Sequence, residues 1–573
     1  MKKITNLGLW LLLLMGNSSC ERFLNLPPRD AISNEDYWNS AADLEKYILQ
    51  FYPKLPRHGT AGTMPIEDAT SDNMVLAVPD PILNGGRTIT TGSWSSDWVN
   101  IRNINFFFDN YGKVQDRIES YRHFLGEAHF FKAWFYFQLL NQYGDVPWYT
   151  SSLQPGSQEL YNPRTARTVV ADSILAHIDK AVEFLNARNT AGNSRLNKEA
   201  ALAFKSRVAL FEGTWQKYHQ GTPFATSGAQ PQKYFQACID AANQLINGTY
   251  TKGIYNTGNP DTDYYTLFGL DNMSNVNEVL LYNASNASEN MGNNVQLYTT
   301  VRSQRMAVTW NLVTSYLGKT GQPYDYLSVA KDTKGNDFLK KIATDCDPRL
   351  QGTVWIPGDL RIASNNSRFD KPYVDQGGEN LCATGFQVKK FSNPYSRAAG
   401  SDQSGGFSET GYIIFRYGEV LLNLAEAQYE LNQTVAYDAL NLLRRRAGMP
   451  NFSILPQSED PTLEYYGYEV SDALYEIRRE RRVELALEGR RSDDYRRWAA
   501  HALIRGKRFY GYPFLKSEFP SYNPPLQSNG LIDYFKTQLP DGYRFRPERD
   551  YLDDIPQLER TLNPNLSQNP GWE

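Results

Sequence analysis

Apolar residues recur at three- and four-residue steps through residues 120 to 250, the spacing that places side chains on one face of an α-helix. Phe124, Ala128, Phe131, Phe135 and Leu139 form the first such stripe, and Gly144 and Pro147 mark its end. Val169 to Leu185 follows. Asn197 to Tyr218 comes next, with Ala200, Phe204, Val208 and Phe211 on one face and Asn197 or Ser194 available as a cap, and Gln232 to Ile246 closes the set. Successive helices with short polar links and alanine at contact positions predict a mainly α fold of stacked helix pairs like tetratricopeptide repeats. From about 250 to 410 the pattern changes to short apolar runs such as Glu278 to Tyr282 and Gly352 to Pro357, set among Asn, Gly, Ser and Pro. These predict short strands and long loops, and loops of this length carry function more often than not. Helical spacing resumes over Phe415 to Leu431, Ala436 to Ala447 and Ser471 to Ala500, and the stretch from Phe509 to Glu573 reads as irregular.

The first residues form a secretory signal: Lys2 and Lys3, an apolar run from Leu7 to Met15, then Asn17, Ser18 and Ser19 before Cys20. The run is too short to span a bilayer, which takes about 20 apolar residues. Residues 1–19 resemble a bacterial lipoprotein signal, with Cys20 as the lipidated first mature residue, and the lipid is then the only tie to a membrane. Cys238, Cys346 and Cys382 remain, without a CxxC pair or regular spacing, so at most one bridge is available.

Composition narrows the function. The 59 basic and 63 acidic residues give a net charge of −4, which lacks the cationic surplus that neutralises phosphates and argues against nucleic acid. Aromatics are abundant at 13%, with 37 Tyr and 11 Trp, residues that suit wet binding surfaces as well as cores. Enzyme motifs are missing: the six histidines form no HExxH, and His123 and His129, six apart on a helix, diverge by about 240° and cannot share a metal. Gly318-Lys319-Thr320 lacks the earlier glycine of a phosphate loop, Val313 standing in its place. No cofactor is implied. The Asn- and Asp-rich loops leave calcium open, without EF-hand spacing.

The run Leu474 to Trp498 places Glu476, Glu480, Glu484 and Glu488 four residues apart. On a helix this is a stripe of like charge that needs interleaved cations, and Arg479, Arg481, Arg482 and Arg491, with Arg444, Arg445 and Arg446 from a neighbour, are at hand. So much arginine lowers carboxylate pKa values and opposes a general acid, which favours a structural ion network over catalysis.

This run resembles the C-terminal signature of the SusD/RagB family. The resemblance continues through Arg416 to Ala427, Ala439 to Pro450, Asp347-Pro-Arg-Leu350 and Leu562 to Trp572, and upstream through Trp98 to Asn105, Gly126-Glu127-Ala128 and Tyr143 to Pro147. Within the acidic run the family commonly has an aromatic residue where Ser492 stands. The resemblance implies an N-terminal helical region over 20–250 and a C-terminal region with long loops over 251–573, packed as one unit with a loop-rich, short-stranded binding face. It further implies a lipid-anchored, surface-exposed outer-membrane protein that binds glycan and serves a SusC-like TonB-dependent transporter. Some relatives bind peptides instead, and a cryptic glycoside hydrolase, whose two carboxylates need no local motif, is the enzyme alternative.

Sugars present apolar C–H faces and a rim of hydroxyls, so their sites pair flat aromatics with amide, carboxylate or guanidinium groups. Two regions offer both. The first is Asp72 and Asn73 with Trp94, the favoured platform, near Trp98; the second is Tyr298, Arg302, Gln304 and Trp310.

Overall fold

The structure, a computed structural model, describes residues 37–59, 68–91, 94–399 and 407–573; the expected signal segment and Cys20 lie outside the described residues. Its helices include α1 (Ala41–Leu49), α2 (Ser95–Asn110), α3 (Ile118–Tyr143), α4 (Arg167–Phe184), α5 (Lys198–Tyr218) and α6 (Pro231–Asn247). In the second half come the short α7 (Pro348–Thr353), then α8 (Tyr417–Asn432), α9 (Tyr437–Arg446), α10 (Asp472–Glu484), α11 (Arg491–Arg497) and α12 (Gln557–Leu562). The pairs α3/α4, α5/α6 and α8/α9 pack as neighbours, and α6 lies against α8, so the stack runs on past the loops. The protein is mainly α, with the helix-pair scaffold that the apolar spacing predicts. No helix among the described residues is long and apolar enough to cross a membrane.

The local signals work as expected at the starts of α5 and α10. The Asn197 side chain accepts a hydrogen bond from the Ala200 N–H at 2.8 Å, and Ser471 Oγ accepts one from Leu474 at 3.3 Å. Helix α3 departs from the one-stripe reading: Phe130, Trp134 and Phe137 are buried like Phe131, Phe135 and Leu139, because neighbours cover most of its circumference and leave Gln138 exposed. Gly126 permits its close approach to the end of α4, since a β-carbon there would lie 2.7 Å from the backbone nitrogen of Leu185. Gly126→Ala is therefore expected to destabilise the protein by about 1–3 kcal/mol, read as a lowered urea midpoint. An unchanged midpoint would show that the two helices can separate at no cost.

Among the described residues, six short strands form three two-stranded antiparallel ladders. Strand β1 (Met74–Val75) pairs with β3 (Ala307–Val308), β2 (Val279–Asn283) with β6 (Tyr412–Arg416), and β4 (Leu360–Ile362) with β5 (Ser367–Arg368). One hydrophobic core runs through the helices, and a second, which includes Met74, Tyr264, Trp310, Phe338 and Tyr512, lies beneath the loops.

The acidic run is one helix only as far as Glu484. Leu487 (φ 63°) and Gly489 (φ 69°) take left-handed backbone and turn the chain before α11, so Glu488 stands outside the helix. The carboxylates are buried and paired. Arg349 of α7 donates to Glu480 at 2.7 Å and Glu484 at 2.8 Å, and Arg416 donates to Glu278, Glu484 and Glu488 at 2.7 to 2.9 Å. Arg444 reaches Glu480 and Arg446 reaches Glu484, while Arg445 is exposed. Arg479 pairs with Glu476 at 3.1 Å, but Arg481 turns away to Asp494 at 3.0 Å. The neutralising cations thus come from α9, as expected of Arg444 and Arg446, and also from α7 and the end of β6, a source that spacing along the run could not reveal.

The C-terminal residues close back on the N-terminal half. Arg87 pairs with Asp550 and Asp553, and Trp572 is buried beneath the guanidinium groups of Arg87 and Arg549, 5.2 and 4.2 Å from its ring centroid.

Candidate functional site at the β1–β3 ladder

The β1–β3 ladder joins the two regions that the sequence separates by more than 200 residues. Met74 pairs with Val308 and Val75 with Ala307, which sets Leu76 to Val78 against the loop 302–306. The chain before β1 is locked from beneath. Arg491 grips Asp72 with two hydrogen bonds of 2.7 and 2.8 Å, Arg482 lies 3.0 Å from the same carboxylate, and Asn73 Oδ1 accepts from Arg482 Nε at 2.8 Å. Burial alone would raise the Asp72 pKa, but Arg482 and Arg491 hold it down at about 2. Asp72 and Asn73 are 0 and 1% exposed, so their expected part in ligand contact is corrected: they anchor the loop.

Trp310 is corrected in the same way. Its ring stacks on Phe338 with centroids 5.8 Å apart, inside the second core. Trp94 immediately precedes α2 and is 7% exposed, with its ring edge-on to Trp98 at 5.3 Å and Tyr143 at 5.2 Å. It forms an inner wall rather than an open platform. The cleft it walls has a volume of about 550 Å³ and is largely apolar, with Leu160, Tyr161 and Leu562 at its side.

Arg302 and Gln304 stay at the surface beside the ladder. Arg302 Nη1 donates to Glu379 Oε2 at 2.7 Å, Arg305 Nε donates to the Gly378 carbonyl at 3.1 Å, and Ser303 Oγ donates to the Leu381 carbonyl at 2.7 Å. These bonds hold Gln304 (φ 50°) and Arg305 (φ 63°) as consecutive non-glycine residues in left-handed backbone. Such strain costs about 1–3 kcal/mol per residue and collects at functional sites. Together with Leu76, Ala77, Val78 and Glu379 they line a surface notch of about 200 Å³. Gln304 Oε1 and Asn380 Oδ1 are shielded from water without hydrogen-bond partners. Tyr298 is buried behind the notch, and that burial, aided by Glu379, raises its phenol pKa and keeps it a neutral hydroxyl.

The notch lining therefore combines the Arg305 guanidinium, the Gln304 amide and the Glu379 carboxylate, itself bound by Arg302, with the exposed apolar side chain of Val78. Planar groups of this kind hydrogen-bond hydroxyls in pairs. Hydrolysis of a glycosidic bond takes two carboxylates on either side of it, and the notch lining holds one, Glu379, bound to Arg302. The sequence reading missed Arg305, Glu379 and Asn380. The Gly377-Gly378 pair marks the turn that presents the last two, but only the fold brings that turn to residue 302.

A family model described as the SusD family matches residues 270–572, more than half of the chain, and one described as starch-binding associating with outer membrane matches residues 65–210. The protein belongs to the SusD family. Among curated proteins it is similar to the SusD-like protein P38 of Formosa agariphila, 24% identical over 87% of this chain and 91% of that protein. It is also similar to the SusD-like protein P2 of the same organism, 23% identical over 100 and 99%. Among solved structures it is similar to a SusD-like carbohydrate-binding protein of Bacteroides fragilis (TM-score 0.71, 22% identity, 93% of this chain and 100% of that chain). A laminarin-binding SusD-like protein has the same fold at TM-score 0.58 and 17% identity, over 93 and 100%.

Proposed function

We propose that this protein is a cell-surface glycan-binding lipoprotein, anchored through Cys20, that captures oligo- or polysaccharide and passes it to a SusC-like TonB-dependent transporter. The observation that carries the reading is the strained notch, where Gln304 and Arg305 are held in left-handed backbone at a concave surface beside Arg302 and Glu379. Arg302, Gln304 and Arg305 are the proposed ligand contacts, with Tyr298 behind them. The carbohydrate-binding and laminarin-binding relatives support glycan as the ligand class, and the lipoprotein-like signal supports anchoring at a membrane.

Affinity electrophoresis of residues 21–573 through gels containing a panel of polysaccharides tests this. Selective retardation without released sugar is expected, and the double variant Gln304→Ala, Arg305→Ala should weaken it at least tenfold, or by about 1.4 kcal/mol, with circular dichroism unchanged. Retardation that survives the double variant would remove the notch from the site. Released sugar would favour a glycoside hydrolase, and no retardation by any polysaccharide would turn the reading to a peptide ligand.

A further inference from the structure

The apolar cleft walled by Trp94 is uncovered among the described residues. Trp98 lines it from α2, Tyr149 and Tyr161 from the chain that follows α3, and Leu562 from α12; of the lining residues, Val99, Tyr161 and Leu562 are exposed. Its polar groups are engaged by the protein's own backbone. Asn105 Nδ2 donates to the Tyr149 and Ser151 carbonyls at 3.1 and 3.0 Å, Asn563 Nδ2 donates to those of Leu160 and Asn162 at 3.0 Å, and Glu559 accepts from the Trp94 N–H at 3.3 Å. A hydroxyl-rich ligand would give up hydrogen bonds to water here and find few in return, whereas apolar side chains would give up none. The occupant called for is an apolar, extended segment suited to flat aromatic walls.

The chain itself contains such a segment. Between Cys20 and Tyr37, where the described residues begin, Phe23, Leu24, Leu26, Pro27 and Pro28 form an apolar run. Proline fixes its own backbone and restricts the residue before it, so the sequence Leu26-Pro27-Pro28 favours polyproline II, the form in which proline-rich segments dock in aromatic-lined grooves. The described chain also starts near the cleft. The ring of Trp38 packs on those of Phe106 and Phe107 in α2, with centroids 5.8 and 6.2 Å apart, and the Tyr47 hydroxyl donates to the Asn103 carbonyl at 2.9 Å. From Phe106 back to Trp98 is about 12 Å of helix, and the chain from Pro28 to Tyr37 reaches about 28 Å in the polyproline II form. The leader is long enough to lay Leu26-Pro27-Pro28 in the cleft.

We infer that the cleft between α2 and α12 is the docking site of this molecule's own leader, with Leu26-Pro27-Pro28 against its aromatic walls. Where Cys20 carries the lipid, as proposed above, only the few residues from Cys20 to the docked run then join the body to the membrane, and the α2 and α12 face is held towards it. The inference rests on that reading for this consequence alone, since the docking is tested without the lipid. Residues 21–573 carrying Asn25→Cys and Leu558→Cys, the latter an exposed position on α12, should form an intramolecular disulfide on mild oxidation; Cys238, Cys346 and Cys382 are buried and stay apart from the reaction. Adding Leu26→Ser, Pro27→Ser and Pro28→Ser, which keeps the tether and removes the docking residues, should slow the cross-link at least tenfold. Val99→Asp, which puts a charge in the cleft at an exposed position, should do the same. In a chain whose leader carries the three serines, a synthetic peptide of residues 21–32 should bind with 1:1 stoichiometry, and Val99→Asp should weaken it at least tenfold. No cross-link, a rate untouched by either set of substitutions, or a disulfide between two chains, which would make the occupant the leader of a second copy, would overturn the inference. Retardation by polysaccharide should be the same in all these variants, so this docking and the glycan reading stand or fall separately.

Discussion

Glu484→Ala is expected to cost about 3–5 kcal/mol, a large part of the 5–15 kcal/mol that typically separates folded from unfolded protein. Arg349, Arg416 and Arg446 all donate to this one carboxylate, at 2.8, 2.8 and 2.5 Å, and every member of the group is 1% exposed or less. Burial would raise the Glu484 pKa, but Arg446, Arg416 and Arg349 overcome it and hold the group well below the usual carboxylate range. Removing the carboxylate leaves Arg446 with Glu278 at 3.6 Å and strips a partner from two other guanidinium groups that water cannot reach. Urea unfolding followed by circular dichroism measures the loss. A cost below about 1 kcal/mol would mean that the pairs behave like surface ion pairs, and the burial argument would fail.

Acid should unfold the protein over a definite window. Burial raises the pKa values of Asp72, Glu419 and Glu426, but Arg482 and Arg491, Arg207, and Arg497 respectively outweigh it and hold each at about 2. Ordinary values are 3.8 for Asp and 4.5 for Glu. A pKa depressed by folding gives stability that is present above the unfolded value and lost as pH falls through the folded one, here between about pH 4.5 and 2. Each group contributes on the order of 2–3.5 kcal/mol. Glu476 works in the opposite sense. Burial raises it to about 7, against Arg479 and Arg444, so its contribution is present below pH 4.5 and declines as pH rises through 7. The urea midpoint should therefore fall steeply from pH 5 to pH 3 and gently from pH 5 to pH 8, with Glu476→Gln flattening the second limb alone. A midpoint at pH 3 equal to that at pH 5 would contradict the depressed pKa values.

The helices were legible because their apolar spacing is local: α3 to α6, α8 and α9 fall where the periodicity puts them, and α10 starts there but ends at Glu484, short of the expected Ala500. The acidic stripe was legible as an ion network for the same reason, since four-residue spacing and nearby arginines are visible on the page. Of its partners, Arg444, Arg446 and Arg479 could be named from the sequence, but two others could not. Arg349 and Arg416 lie about 130 and 70 positions away from the carboxylates they serve, and no property of those segments says which helix they will meet. The candidate site shows the same limit. Arg302 and Gln304 stand where a loop rich in polar groups promised them, whereas Asp72 and Asn73, equally polar and equally placed in a loop, are drawn inward by Arg482 and Arg491. Burial of a charged residue depends on what arrives beneath it, and that is a tertiary fact.

The clasp around Trp572 has a consequence for how the protein can be made. A chain that leaves a ribosome or a membrane pore N-terminus first presents Arg87 more than 460 residues before Asp550 and Asp553. Closing so long a loop late is slow, and the N-terminal half stays unsealed until its last strand of sequence has followed. The last residues of the chain thus act as the closing step of folding: the clasp cannot form until the whole of the sequence has been made.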